Sequence, residues 1–181
     1  MDKEIDKKEK IKKEIISWAW VIIFVVVLIV FFVQAFQIPS TSMVPTLKVK
    51  DRLLANKIIY KIRKPERGDV IIFKYPEDPS KDFVKRLIGL PGETVFLKDG
   101  KVYINGEELK EPKSVTQWYY YSEGDDGVTK PFNVPKNGYY ALGDNSPISK
   151  DSRFWGFIPD KYLIGKAWFI YWPPWRMGVI K

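Results

Sequence analysis

The 181-residue sequence contains neither cysteine nor histidine. Without cysteine, the chain cannot form a disulfide, a Cys/His zinc site or a thiol nucleophile. Without histidine, it cannot form a hydrolytic triad in which an imidazole is the general base. Nucleophilic chemistry therefore requires Ser or Thr activated by Lys, or carboxylates that act alone. We expect no metal and no cofactor.

Basic residues outnumber acidic ones by 30 to 22, which gives a formal net charge of +8 at pH 7. A surplus of this sign favours an anionic partner such as a membrane surface or nucleic acid, although surface lysines also serve solubility alone. Aromatic residues make up 15% of the chain. Large rings with polar edges are typical of places where a protein meets lipid or an extended ligand.

A long uncharged segment lies near the N-terminus. No charged residue occurs between Glu14 and Lys48, and residues 18–33 are all apolar. As a helix, residues 15–36 would be about 33 Å long, enough to cross a hydrocarbon core of about 30 Å. A core helix of a soluble domain would be shorter or would have a polar face. The sequence therefore predicts a transmembrane anchor helix at 15–36.

The lysines around this segment predict its orientation. Six lysines lie in the preceding tail, residues 1–14, and no Lys or Arg lies between Gln34 and Leu47. Because basic residues stay on the cytoplasmic side, the tail is predicted to be cytoplasmic and residues 37–181 to be extracytoplasmic. This describes a single-pass protein of the plasma membrane.

A cleaved secretory signal peptide is the alternative interpretation of the same segment. It has a basic start, and Val33-Gln34-Ala35 resembles a cleavage site. The apolar stretch is, however, longer than the usual signal-peptide core of about 7–15 residues. The length therefore favours an uncleaved anchor.

From about Asp51 the chain alternates short β-like runs with Gly, Pro and Asn turns, and it has no convincing helical period. Asp99-Gly100 and Asn105-Gly106 are hairpin signals. A mainly β domain is therefore predicted, with an inserted hairpin and loop region at about 98–137. The acidic stretch 123–126 within it lacks the spaced ligands of a calcium loop, which favours a solvated turn. The candidate strands are 51–60, 69–75, 83–89, 94–97, 101–104, 139–142 and 164–171.

Two serines and one lysine are the candidates for chemistry. Ser40 and Ser42 lie between prolines, which usually marks a turn. Lys85 lies in an apolar strand, where alternation puts it on one face with Phe83 and Leu87. Apolar neighbours would lower the lysine pKa from about 10.4 toward the range that a general base needs. A lysine on the solvent face is the alternative.

Four motifs follow the apolar segment in order, and together they resemble the bacterial type I signal peptidases of the single-span kind. The motifs are Ser40–Leu47, Arg67–Phe73, Lys85–Thr94 and Gly143–Gly156. The resemblance covers nearly the whole chain and departs from the commoner family pattern at Ser146-Pro147-Ile148. It implies a mainly β, signal-peptidase-type β-barrel or sheet catalytic domain with an N-terminal transmembrane helix. The implied activity is that of a membrane-anchored serine endopeptidase that removes signal peptides after Ala-x-Ala.

The resemblance also implies roles for individual residues. Ser42 matches the nucleophile and Lys85 the general base. Ser40 matches the residue whose hydroxyl joins the Ser42 backbone N–H in the oxyanion hole, and Ser149 matches the serine that orients the lysine amine. Two ion pairs that would support the site are hypotheses; these are Asp151 with Arg153 and Asp144 with Arg86.

Substrate pockets and partners follow from the same resemblance. Small apolar pockets would accept small side chains, although ordinary core packing is the alternative for each wall residue. The wall positions are Phe36, Ile38, Pro39, Met43, Leu47, Phe83 and Val84. The implied partners are signal peptides of secreted preproteins, the lipid bilayer and, as a candidate, the protein-export translocase. Nucleic acid is not expected, because an extracytoplasmic domain would not meet it.

Two other functions are compatible with parts of the sequence. A Ser/Lys self-cleaving domain like those of SOS-response repressors would share the dyad, but the chain has no helix-turn-helix pattern for DNA binding. A non-catalytic anchored β module that binds a partner through its aromatic residues would leave the Ser/Lys pairing as coincidence. Replacement of Ser42 separates these classes, since binding would survive it and proteolysis would not.

Overall fold

The computed structural model describes the backbone of residues 2–121 and 129–181, and the side chains of residues 10–26, 32–121 and 129–181. The acidic stretch 123–126, predicted to be a solvated turn, lies outside the described residues. The chain divides into two compact units, Met1–Gln34 and Ala35–Lys181. The helices are α1 (Asp2–Phe32), α2 (Ile59–Ile62), α3 (Lys113–Thr116) and α4 (Ser152–Trp155).

The N-terminal unit consists mainly of α1, whose 31 residues include the basic tail and most of the apolar segment. All described side chains of this helix, from Lys10 to Val26 and at Phe32, are exposed. The helix ends four residues before the predicted end of the anchor, because the chain becomes extended at Val33. Within the parts of the chain that the structure describes, no helix meets the length and apolar character expected of a membrane span.

The second unit is mainly β, as predicted. Every strand pair with an assigned register is antiparallel. The strands are β1 (Val33–Gln37), β2 (Arg52–Asn56), β3 (Val70–Tyr75), β4 (Asp78–Gly89), β5 (Thr94–Lys98), β6 (Lys101–Ile104), β7 (Glu107–Glu108), β8 (Phe132–Asn133), β9 (Gly138–Leu142), β10 (Ile158–Pro159), β11 (Leu163–Trp172) and β12 (Gly178–Val179).

These strands form two sheets. The larger has the order β1-β2-β11-β3-β4-β9-β10, with β12 added to β11, and the smaller has the order β7-β6-β5-β8. The end strands of the larger sheet, β1 and β10, are not paired with each other among the described residues. The larger sheet is therefore open, which matches the sheet alternative of the prediction and not a closed barrel.

Strand β3 of the larger sheet is buried on both faces and is apolar at nearly every position. Ile72 packs in a cluster with Met43, Leu47 and Ile170, whereas Ile71 and Phe73 pack in a second cluster on the opposite face. A third cluster joins the smaller sheet to the larger one. The site described below lies where the turn between β1 and β2 meets β4.

Two boundaries of the predicted strands differ from the prediction by more than one residue. The run 51–60 was predicted to be one strand, but β2 ends at Asn56, whose side-chain Oδ1 accepts hydrogen bonds from the backbone N–H groups of Ile58 and Ile59. That local capping starts a turn and then the short helix α2. Strand β4 begins at Asp78, five residues before the predicted start, and pairs back onto Tyr75 across a bulge.

Candidate active site

Ser42 and Lys85 meet although 43 residues separate them in the chain. Ser42 comes from the turn after β1, and Lys85 comes from the middle of β4. The Lys85 Nζ lies 2.7 Å from the Ser42 Oγ. Both side chains are buried, with 4% of Lys85 and 7% of Ser42 exposed. A proton can therefore pass directly between the hydroxyl and the amine.

Burial changes the acidity of the lysine. Removal of the ammonium from water lowers the pKa of Lys85 from 10.5 to about 8, while the negative charges of Asp151 and Asp144 act in the opposite direction. At pH 7 roughly one amine in ten is then neutral, compared with less than about one in a thousand for an ordinary lysine. The amine is thus suited to take a proton near neutral pH.

The turn that carries Ser42 is held by its apolar neighbours. Met43 and Leu47 are buried in the core on either side of the turn, and the Leu47 N–H donates to the Met43 carbonyl over 2.8 Å. On the far side, Asn145 donates a hydrogen bond of 3.0 Å from its backbone N–H to the Ser42 carbonyl. The segment after β9 therefore helps to position the serine.

Ser40 lies beside the nucleophile position, and its Oγ is 3.3 Å from the Ser42 Oγ. Its side chain is exposed. A hydroxyl at this distance is placed to donate a hydrogen bond to an oxygen that forms next to Ser42. The predicted oxyanion-hole residue and the predicted nucleophile are thus brought together.

Ser149 is in the site, but the hydrogen bond implied for it is not formed. The residue is buried, with 3% exposed, yet among the described residues its Oγ has no hydrogen-bond partner. Instead, the Oγ fills the space beside Gly143, where a Cβ would approach it to 2.1 Å. The sequence resemblance had placed this hydroxyl on the Lys85 amine.

The Arg86 and Asp144 side chains form a fully buried ion pair behind the dyad. Two hydrogen bonds of 2.7 Å join the guanidinium to the two carboxylate oxygens, and Thr46 Oγ1 donates to Asp144 Oδ2 over 2.5 Å. Arg86 also donates to the carbonyls of Gly68 and Lys181. Because the pair is bidentate and its remaining groups are bonded, its burial is compensated.

A second ion pair organises the loop after Gly143. Arg153 Nε lies 2.8 Å from Asp151 Oδ1, and Asp151 Oδ2 accepts from the Gly143 N–H over 3.0 Å. Arg153 also donates to the carbonyls of Ser146 and Ser149. The Ser146 Oγ accepts from Arg153 Nη1 over 2.9 Å, a contact that sequence reasoning missed. The chain thus forms a specific contact where it departs from the commoner family pattern.

A cleft of about 170 Å³ leads to the dyad and is mostly apolar. Six of the seven predicted wall residues line it, namely Phe36, Ile38, Pro39, Met43, Phe83 and Val84. Leu47 does not, because it is fully buried in the core. Gln37 and Asp82 also line the cleft. They were missed, Asp82 because the predicted strand began one residue after it.

The site combines a hydroxyl with an amine that can accept its proton. Among the residues with described positions, no group of three or more Asp or Glu side chains could hold a metal ion. A buried hydroxyl beside an amine of lowered pKa, reached through an apolar cleft, has the components of a serine hydrolase whose base is lysine. That is the class of protein that the fold and the site define.

Comparisons with known proteins give the family. The signal peptidase family, peptidase S26, matches residues 11–172. The chain is 42% identical over 156 residues to the probable signal peptidase I-2 of Synechocystis sp., which covers 83% of this chain and 68% of that protein. It is 35% identical over 177 residues to signal peptidase IB of Staphylococcus aureus, with 90% of this chain and 92% of that protein covered.

A solved structure of a signal peptidase I from Enterococcus faecalis V583 is 37% identical and aligns with a TM-score of 0.47, covering 58% of this chain and 97% of that one. From the match over residues 11–172 and the identity to these relatives, the chain belongs to the signal peptidase family, peptidase S26. It is therefore a serine endopeptidase, and the family resemblance predicted from its four motifs is confirmed.

Proposed function

We propose that the protein removes N-terminal signal peptides from exported preproteins by cutting after small residues, with Ser42 as nucleophile and Lys85 as general base. The observation that carries this assignment is the 2.7 Å distance between Lys85 Nζ and Ser42 Oγ inside an apolar cleft. Family membership supports the reaction class. The geometry supports the choice of these two residues among the serines and lysines of the chain.

In the proposed mechanism, the neutral Lys85 amine takes the Ser42 proton as Oγ attacks the scissile carbonyl carbon. The resulting oxyanion accepts hydrogen bonds from the Ser42 backbone N–H and the Ser40 hydroxyl. The Lys85 ammonium then gives its proton to the leaving amine, which leaves an acyl group on Ser42. Water activated by the same amine hydrolyses this ester and regenerates the hydroxyl.

The cleft suits an extended peptide with small side chains. Strand β9 pairs with β4 only from Arg86 onward, so in the described part of the chain the other edge of Asp82–Lys85 has no strand partner. A substrate strand can add its main-chain hydrogen bonds at such an edge. Apolar walls around about 170 Å³ favour alanine-sized side chains next to the scissile bond.

Membrane attachment is part of the proposal and rests on the sequence. Residues 15–36 carry no charge, and the described apolar side chains of α1 are exposed, which water alone would disfavour. The proposed topology is a single span in the plasma membrane with residues 1–14 in the cytoplasm and residues 37–181 outside. Lipid and, as a candidate, the protein-export translocase are the partners of this arrangement.

The deciding experiment measures cleavage of an Ala-x-Ala peptide by the detergent-solubilised full chain. Ser42→Ala and Lys85→Ala are expected to abolish cutting after the second Ala. Ser80→Ala and Lys98→Ala, which replace exposed residues outside the cleft, serve as matched controls and are expected to retain it. Cleavage that persists in either dyad variant would reject the residue assignment. Peptide binding without cleavage by the folded wild type would support a binding module instead.

A further inference from the structure

A second groove lies away from the dyad, beside the short helix α2. Its volume is about 500 Å³, which makes it larger than the cleft at Ser42. None of the residues that line it belongs to the lining of that cleft. The groove therefore has no part in the proposed mechanism, and its ligand chemistry must be inferred from its own side chains.

Positive charge dominates this groove. Three exposed lysines, Lys57, Lys61 and Lys64, line it, and none of them has an ion-pair partner among the side chains that the structure describes. Arg63 also lines it, and Asp160 is the acidic residue of the lining. An open groove with this charge attracts an anion.

The charge beneath the groove does not cancel this surplus. The Asp69 carboxylate is shared by two cations, Arg63 at 2.9 Å and Lys166 at 2.6 Å. Glu66 lies 3.5 Å from Arg63, so these two carboxylates offset the two cations and leave the three lysines of the groove with Asp160 as their acidic neighbour. Arg63 is held in place by this bond and by the Tyr60 ring below it. Arg63 therefore anchors the segment that carries the lysines.

An apolar side chain lies next to these cations. Ile62 is 79% exposed, the highest value among the large aliphatic side chains that the structure describes as exposed. Burying such a side chain in water-excluding surroundings is favourable, and lysines beside an exposed apolar residue suit a surface that binds at the lipid interface. A free inorganic anion would bind to the lysines but would leave Ile62 in water.

We propose that this groove binds the phosphate headgroup of an anionic phospholipid, with Lys57, Lys61 and Lys64 around the phosphate and Ile62 against the acyl region. Phosphate next to hydrocarbon satisfies both the cations and the isoleucine. The inference rests on the proposed membrane location of the chain. It adds to that location a lipid preference set by three lysines.

The test uses the full chain in micelles of a neutral detergent, to which phosphatidylglycerol or phosphatidylcholine is added. Acetylation of each lysine is followed by mass spectrometry, and lipid affinity is followed by native mass spectrometry. Phosphatidylglycerol is expected to protect Lys57, Lys61 and Lys64 of the wild type, and phosphatidylcholine is not. Neutralising each lysine is expected to weaken phosphatidylglycerol binding about fivefold.

The triple variant K57Q/K61Q/K64Q is compared with K98Q/K113Q/K130Q, which removes the same charge from exposed lysines outside the groove. Equal losses in the two variants would mean diffuse attraction and would overturn the proposal. Equal protection by the two lipids would also overturn it, as would equal protection by inorganic phosphate or by an acidic peptide. Cleavage of the Ala-x-Ala peptide by the triple variant verifies its fold. Lipid binding by a wild type that cuts nothing would reject only the peptidase assignment.

Discussion

At the scale of single residues, the protonation state of Lys85 links the fold to the chemistry. An exposed lysine beside Ser42 would be charged at neutral pH and could not take a proton. Burial in an apolar surrounding lowers its pKa to about 8, and the carboxylates of Asp151 and Asp144 limit the change. The site therefore keeps an amine that is partly neutral at pH 7 and can still be reprotonated.

The first prediction concerns the pH dependence of the reaction. Because the base acts only as the neutral amine, kcat/KM for an Ala-x-Ala peptide is expected to rise about tenfold per pH unit below about pH 8 and to level off above it. The measurement is a rate profile from pH 6 to 10 with a peptide that does not titrate in this range. A flat profile would contradict a lysine base.

The second prediction concerns stability. Because the folded-state pKa of Lys85 is below its ordinary value, the buried ammonium destabilises the fold. The full energetic penalty applies below about pH 8, and it disappears as the pH rises toward 10.5. Lys85→Met is therefore expected to raise the free energy of unfolding by about 2–3 kcal/mol at pH 7, and by progressively less from pH 8 to 10.5. Urea unfolding at several pH values measures this difference. Lys98→Met, at an exposed lysine, is the control, and an equal gain there would reject the explanation.

At the scale of the elements, the site depends on how β4 is joined to the segment after β9. Strand β4 carries both Lys85 and Arg86, and their neighbouring side chains serve different purposes. Lys85 reaches Ser42, whereas Arg86 forms the buried pair with Asp144. The Asn145 N–H then contacts the Ser42 carbonyl. The ion pair thus fixes the segment that also contacts the turn that carries Ser42.

The third prediction tests this ion pair with a charge-reversal cycle. Arg86→Asp and Asp144→Arg are each expected to destabilise the fold by about 3–5 kcal/mol, because each leaves uncompensated buried charge. The double variant is expected to recover part of that loss, since opposite charges face each other again. Chemical denaturation of the four proteins measures the coupling. Additive losses would mean that the two side chains stabilise the fold independently.

The fourth prediction concerns the close approach at Gly143. A Cβ there would lie 2.5 Å from the Ser42 carbonyl oxygen and 2.1 Å from Ser149 Oγ. Gly143→Ala is therefore expected to shift the catalytic turn and to lower kcat about a hundredfold. Gly178→Ala is the control, because a Cβ at that position meets nothing within 4 Å. Peptide cleavage rates measure both, and an unimpaired Gly143→Ala enzyme would contradict the packing argument.

At the scale of the whole molecule, the chain consists of a helical N-terminal unit and a β unit that contains every residue of the candidate active site. The three core clusters all lie within the β unit. This unit also exposes aromatic side chains at Trp168, Trp172 and Trp175. Such rings are common where a protein surface meets lipid headgroups.

The fifth prediction is that a fragment from Val33 to Lys181 folds and cleaves a soluble peptide. It keeps β1 whole and retains all three clusters, so its stabilising apolar contacts are intact. In neutral detergent, which covers the exposed tryptophans, we expect cooperative thermal unfolding and a kcat/KM within several-fold of the full chain. Circular dichroism and peptide cleavage measure these. An unfolded fragment would show that α1 is required for folding.

Much of the fold and of the candidate site could be predicted from local properties of the chain. The lack of histidine restricted a hydrolytic serine to a lysine base, and four motifs identified the family. Short β-like runs between Gly, Pro and Asn turns predicted seven of the described strands, namely β2, β3, β4, β5, β6, β9 and β11. The ion pair between Asp144 and Arg86 was also anticipated as a pairing of opposite charges.

Other properties required the folded chain, because alternation gives the face of a strand but not what covers that face. Leu47 and Met43 come from the same turn, yet only Met43 lines the cleft while Leu47 is enclosed by the core. Asp82 reaches the cleft because β4 continues back to Asp78. The Ser149 hydroxyl lies beside Gly143. Packing between segments distant in sequence determines these positions, and no local pattern encodes it.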